Sequence, residues 1–316
     1  MTKPTLVMFE GDFVLSSQGE IKERRDALYK TLSSCDLCPR ECKVNRLDGK
    51  KGYCGANKEL VISSISPHFG EESELVGKGG SGTIFFSHCS LKCIFCQNYE
   101  LSHLGYGRLI KEEDLVEGML ALAKMGCINI NLVTPTHYLP QIISALVIAK
   151  DTGLKLPIVY NSSGYEKVET LRLLEGIIDI YMPDMKYGEA EAAKRYSNAP
   201  DYPEVAKKAI SEMHRQVGDL VIEEGTAKKG LLIRHLVMPS GVAGTDEVLK
   251  FVASLSKDSY INIMDQYRPI YEAGKFPEIH RRTTFSEFRK AIDEARALGL
   301  HRGFMGCEQK TDDTNH

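Results

Sequence analysis

The chain has 316 residues, 42% of them hydrophobic and 26% charged, a balance that suits a globular protein and excludes a disordered or membrane-embedded one. A formal charge of -3 and a pI near 6.3 give no global attraction to phosphate backbones, and the basic runs at 22–25 and 280–282 are short, so no nucleic-acid partner is expected. The N-terminal MTKPTLVMFEGDF has no charged region leading into an apolar stretch, and no apolar run is long enough to span a bilayer; the expected location is cytoplasmic, with no membrane partner.

In chain order, a helical pattern covers 21–33 and is followed by Cys35, Cys38, Cys42 and Cys54, spaced C-x2-C-x3-C-x11-C. Four thiolates close either a tetrahedral zinc site or a complete 4Fe-4S cube, and both metals take soft sulfur. Gly49 and Gly52 let the chain turn back to deliver Cys54, and Pro39 stiffens the knuckle. GKGGSG (77–82) lacks the Lys-Ser/Thr ending of a phosphate loop and reads as a flexible lead into a strand.

From residue 83 onward, short β-rich apolar runs alternate with helical segments. Strands are expected at 83–87, 130–133, 157–160, 177–182, 231–238 and 260–264. Helices are expected at 111–126, 138–151, 166–175, 202–217, 245–255 and 284–298. Such alternation predicts an α/β fold with parallel pairing through right-handed crossovers, either a partial (β/α)6 barrel of TIM type or a doubly wound sheet. Ligands gather at the C-terminal strand ends in both. The expected organisation is a Cys-rich N-terminal segment (1–82), a core (83–307) and a polar, frayed tail (308–316).

Seven of the nine cysteines lie between Cys35 and Cys96, which points to thiolate chemistry rather than disulfides in a reducing compartment. Cys127 and Cys307 stand alone and read as packing residues. Directly after the first core strand, SHCSLKCIFCQN places Cys89, Cys93 and Cys96 in one loop. Three thiolates hold three irons of a cube and leave one open for a chelating ligand, as a catalytic metal site requires. The plainer alternatives are small buried hydrophobes or a zinc half-site.

CxxxCxxC in this position resembles the radical S-adenosylmethionine (SAM) superfamily. Within it, LCPRECKVNR, GSGTIFFSHCSLKCIFCQN, NINLVTPTHY, YNSSGY, DIYMPDMKY and RHLVMP, spread over roughly residues 35–300, resemble the pyruvate formate-lyase activating enzyme and, more closely, its homologues. The resemblance implies a partial (β/α)6 barrel in which SAM chelates the open iron of the 4Fe-4S cluster. Reduction then yields a 5'-deoxyadenosyl radical that takes hydrogen from a substrate, a glycine of a partner polypeptide in the activating enzymes. It implies a flavodoxin or ferredoxin as electron donor. By residue, it implies Phe95 near the adenine, Asn161, Ser162, Met182 and Asp184 at a monovalent-cation site beside SAM, and Lys186 and Arg234 against the SAM carboxylate and ribose. Without the resemblance, Asp184 and Lys186 read as an ion pair and Met182 as a core filler.

The sequence departs from the superfamily after the second core strand, where VTPTHY (133–138) stands in place of a Gly-Gly-Glu stretch; Thr134, Thr136 and His137 restore no carboxylate. The rival functions are a radical SAM enzyme acting on a peptide or small molecule, a non-catalytic two-cluster electron-transfer protein, and a zinc-binding interaction module.

Overall fold

The computed structural model describes residues 18–304; Cys307 and the 308–316 tail lie outside the described residues. The elements in order are α1 (Gln18–Thr31), β1 (Leu60–His68), α2 (Ser73–Val76), β2 (Ser81–Phe86), α3 (Tyr99–Ser102), β3 (Arg108–Ile110), α4 (Glu112–Lys124), β4 (Ile130–Val133), α5 (Leu139–Asp151) and β5 (Ile158–Ser162). The chain continues through α6 (Val168–Arg172), β6 (Ile180–Pro183), α7 (Ala190–Ser197), α8 (Tyr202–Val217), β7 (Val221–Glu223), β8 (Thr226–Leu236), α9 (Thr245–Leu255), β9 (Tyr260–Met264) and α10 (Phe285–Ala297).

The six apolar runs read from the sequence become β2, β4, β5, β6, β8 and β9, which pair in that order, every neighbour parallel. Successive side chains along a strand point to opposite faces, and here the two faces differ. Ile158, Tyr160, Tyr181, Leu231, Ile233 and Ile261 join one large core with residues of α1, α4, α5, α8, α9 and α10. Val159, Ile180, Met182, Leu232 and Tyr260 form a separate inner cluster with Leu75 of α2. The long helices therefore cover only one face, with the single turn of α2 on the other, as in a barrel arc and unlike a doubly wound sheet. The ladder runs from β3 to β9 without a closing pair among the described residues.

Three strands were not read from the sequence. β1 pairs antiparallel with both β2 and β3, and β7 pairs antiparallel with β8. β1 is serine-rich and half exposed, and β3 and β7 have three residues each, too few for a periodic signal. α7, eight residues of AEAAKRYS, was missed for the same reason, and α6 is shorter than the helix expected over 166–175. β1 and α1 bring the described part of the 1–82 segment onto the same sheet and core as the rest of the chain.

α5 is apolar nearly all round because it is covered on several sides: Leu139, Ile142, Ile143 and Leu146 are fully buried against the sheet, α1 and α4. α8 instead buries one stripe, Ala206, Ala209, Ile210, Met213 and Val217, at helical spacing. The glycines of GKGGSG serve close approach rather than flexibility: a Cβ on Gly79 would lie 1.8 Å from the Gly126 carbonyl oxygen, and one on Gly82 2.6 Å from that of Asn129. Among the described residues no helix is long and apolar enough to cross a membrane.

Candidate active site

β2 ends at Phe86, and the loop that follows carries all three closely spaced cysteines to the wall of one cavity of about 240 Å³. His88 and Lys92, which directly precede Cys89 and Cys93, adopt left-handed backbone (φ 75° and 55°), and so does Thr134, which lines the same cavity (φ 60°). Non-glycine residues held there cost of order 1–3 kcal/mol each, and such strain concentrates at functional sites. The loop is tied down by hydrogen bonds from Leu91 N to Cys89 Sγ (3.4 Å) and from Ser102 Oγ to Cys96 Sγ (3.2 Å). Phe95 is held edge-on between Tyr187 and Tyr267 and packs with Leu91 and Cys93.

Burial pushes the thiol pKa of Cys89, Cys93 and Cys96 up, with Lys186 pulling all three the other way. A metal that removes those protons relieves the conflict between burial and charge. Three soft donors on one wall fit an iron-sulfur cube, which takes one thiolate per iron. Among the described residues no three His, Cys, Asp or Glu side chains converge to hold a single metal ion.

A charged network lines the same cavity. Asp184 accepts from Lys186 Nζ (2.7 Å) and from Arg234 Nε (2.9 Å), and Arg234 Nη2 donates to Asn161 Oδ1 (2.7 Å). Burial alone would raise the Asp184 pKa, but Arg234 and Lys186 together hold it below the usual carboxylate range. Burial likewise opposes the charge on Lys186, yet Asp184 and the nearby Cys93 keep its pKa above the ordinary lysine value. The cavity wall thus gathers Phe95, Asn161, Ser162, Asp184, Lys186 and Arg234 with the three cysteines. Met182 is apart: its side chain is fully buried in the inner apolar cluster and does not line the cavity.

The VTPTHY stretch divides. Thr134 lines the cavity, whereas Thr136 Oγ1 donates to the buried Glu166 (2.7 Å) and His137 Nε2 meets the Ser87 carbonyl oxygen (2.7 Å). Burial lowers the His137 pKa to about 3, so it stands neutral.

Two acids missed by sequence reasoning approach the network from below. The turn between β1 and β2 inserts Leu75 into the inner cluster and brings Glu71 within 3.7 Å and Glu72 within 4.0 Å of Arg234 Nη1. Burial, working against Arg234, raises the Glu71 pKa to about 7. Nothing local marks the Glu71 and Glu72 side chains as buried; only the insertion of α2 makes them so. His88 was also missed, though its place beside Cys89 was a signal; a Cβ on Gly105 would lie 2.4 Å from its ring.

The second cysteine group forms its own turn, with Cys35, Cys38 and Cys54 buried and Cys42 half-buried. Cys127 packs in the main core.

Compared with known proteins, residues 83–223 match the family described as the Radical SAM superfamily. The uncharacterized protein MJ0674 of Methanocaldococcus jannaschii is 33% identical over 276 residues, covering 84% of this chain and 75% of its own. Among solved structures, the chain is similar to a radical SAM methyltransferase from Sphaerobacter thermophilus (TM-score 0.49, 15% identity, 80% of this chain and 70% of that one). It is also similar to HydG, a maturase of the FeFe-hydrogenase (TM-score 0.49, 16% identity, 68% and 48%). The family match spans the strands and loop that carry the three cysteines, and the relative is a third identical across most of both chains: this chain belongs to the radical SAM superfamily, whose domain implies use of a 4Fe-4S cluster and SAM.

Proposed function

We propose that this protein is an enzyme that reductively cleaves SAM at a 4Fe-4S cluster and removes hydrogen from a bound substrate. The observation that carries the reading is the meeting, on one cavity wall, of Cys89, Cys93 and Cys96 with the Asn161–Arg234–Asp184–Lys186 network. The three cysteines would hold the cluster and leave one iron for SAM. When bound, the pair supplies an electron to the sulfonium and a 5'-deoxyadenosyl radical for hydrogen abstraction.

The chain's own part is binding and orientation. Lys186, kept cationic by Asp184, offers a donor for the SAM carboxylate, and Arg234, fixed by two hydrogen-bond acceptors, presents a guanidinium of set direction to the ribose side. Phe95 gives a rigid apolar face for the adenine. Phe85, Phe86, Leu236 and Met264 on the same wall keep water from a reactive carbon radical. A monovalent cation beside SAM would share the oxygens of Asn161, Ser162 and Asp184 with Arg234 and Lys186, while Met182 supports that layer by packing. On the resemblance alone, the hydrogen donor is a glycine Cα of a partner polypeptide, and the electron donor a flavodoxin or ferredoxin.

The test is anaerobic reduction of iron- and sulfide-loaded protein with SAM. It should yield 5'-deoxyadenosine, and Cys93→Ala should yield none. Absence of product from the fully loaded wild type would favour the electron-carrier reading instead. With a candidate polypeptide present, an organic radical localised to glycine supports that substrate; deuterium transfer from an added small molecule supports the other.

A further inference from the structure

The first cavity leaves Cys35, Cys38, Cys42 and Cys54 unused, and their surroundings are built. Lys43 N donates to the Cys35 carbonyl oxygen, Cys35 N to that of Val44 and Glu41 N to that of Cys38, closing a tight knuckle that requires left-handed backbone at Glu41 and Lys43 (φ 39° and 54°). Donors already point at sulfur: Tyr53 N lies 3.2 Å from Cys42 Sγ, Ala56 N 3.4 Å from Cys54 Sγ, and Arg46 Nη1 3.8 Å from Cys35 Sγ. Gly52 presses against Cys42, where a Cβ would come 3.3 Å from the sulfur.

Arg46 provides the independent observation. Its side chain is 0% exposed, and its nitrogens reach the carbonyl oxygens of Asn57 and His137 and the sulfur of Cys35. No carboxylate pairs with it among the described residues. A guanidinium buried without an anion is costly, and the nearest groups able to supply negative charge are the cysteines. An anionic four-thiolate centre resolves both the cluster of buried sulfurs and the unpaired cation.

Zinc and a 4Fe-4S cube both take four soft thiolates, and a chain whose first site is read as an iron-sulfur centre is assembled where iron and sulfide are supplied, which favours the cube. The group also touches the first site. Arg40, inside the knuckle, donates to the carbonyl oxygens of Ser90 and Leu91, between Cys89 and Cys93, and its guanidinium lies 4.0 Å over the ring of Tyr53.

We propose that Cys35, Cys38, Cys42 and Cys54 hold a second, fully closed 4Fe-4S cluster, balanced by the buried Arg46 and docked on the loop of the first through Arg40. The proposal concerns residues that the SAM-cleavage reading does not use, so the two are separable. The triple variant Cys89→Ala, Cys93→Ala, Cys96→Ala, loaded anaerobically with iron and sulfide, should retain about four irons and four sulfides per chain, against about eight in the wild type. One zinc without sulfide, or no metal, in the folded triple variant overturns it. Should that variant fail to fold, Cys38→Ala in the otherwise intact chain decides: loss of about four irons relative to the wild type supports the second cluster, and an unchanged iron content refutes it. A wild type and a triple variant that both hold four would instead sink the first site and leave the second standing. Arg46→Met in the triple background should lose iron to a chelator several-fold faster, and an unchanged rate overturns the charge assignment.

Discussion

Replacing Glu166 with glutamine tests how the interior charges are held. Its carboxylate is buried, accepting from Thr136 Oγ1 (2.7 Å) and Tyr160 OH (3.2 Å), beside Ser162 of the cavity wall and within electrostatic reach of Cys38. Burial lifts its pKa from 4.5 to about 7, with hydrogen bonds from Thr136, Tyr160 and Ser162 pulling weakly the other way. Between those two values the folded protein keeps a proton that the unfolded chain has released. Stability is therefore fully present below pH 4.5, falls as pH rises through the window and levels off above about 7. At 1.36 kcal/mol per pH unit, the loss is about 3 kcal/mol. Glutamine carries no charge at any pH, and either hydroxyl can turn to accept from its amide. Urea denaturation of loaded protein under anaerobic conditions, from pH 4.5 to 8, should show the variant gaining on the wild type by about that amount. An infrared carboxyl band absent from the variant should vanish in the wild type with a midpoint near pH 7. Parallel stability profiles and no such band would mean that Glu166 is ionised throughout, and the reasoning from burial would fail.

Three further outcomes are expected. Gly164→Ala places a Cβ 2.3 Å from the Asp184 carbonyl oxygen at a position with φ of 73°, and should cost at least about 2 kcal/mol in denaturation; wild-type stability would refute that contact. Arg234→Lys keeps the charge but cannot reach Asp184 and Asn161 together, so SAM affinity measured by equilibrium dialysis should fall roughly 10-fold or more, the worth of one charge-assisted hydrogen bond; an unchanged Kd removes Arg234 from the site. Arg40→Ala removes the donors holding the Ser90 and Leu91 carbonyl oxygens, and should slow 5'-deoxyadenosine formation while iron content is kept; an unchanged rate would show that the two cysteine loops act independently.

What could be read from the sequence follows from how local each signal is. The bounds of α8, α9 and β9 were read to the residue because a one-sided stripe or a continuous apolar run is complete within the element. The three-cysteine loop was legible for the same reason: its spacing is contained in eight residues. Arg46, Glu71 and Glu72 were not, since each is polar in a polar stretch and becomes buried only when a distant element closes over it, the second cysteine turn in one case and the inserted α2 in the other. Met182, which the resemblance places beside the cofactor, gives its thioether to the apolar interior.

The network itself depends on strand register. Asn161 lies two residues beyond Val159 on β5 and Arg234 two beyond Leu232 on β8, so a polar layer rests directly on an apolar one along the same inward face. Slipping either strand by one residue would turn Tyr160 or Ile233 inward in place of Asn161 or Arg234. What forbids the slip is the outward face, where Tyr160, Ile233 and their neighbours are fully buried in the helix-covered core, each worth roughly 1.5–3 kcal/mol. The helices that never touch the cavity thus decide which side chains face it, and the chemistry of the site is held in place by the apolar residues that point away from it.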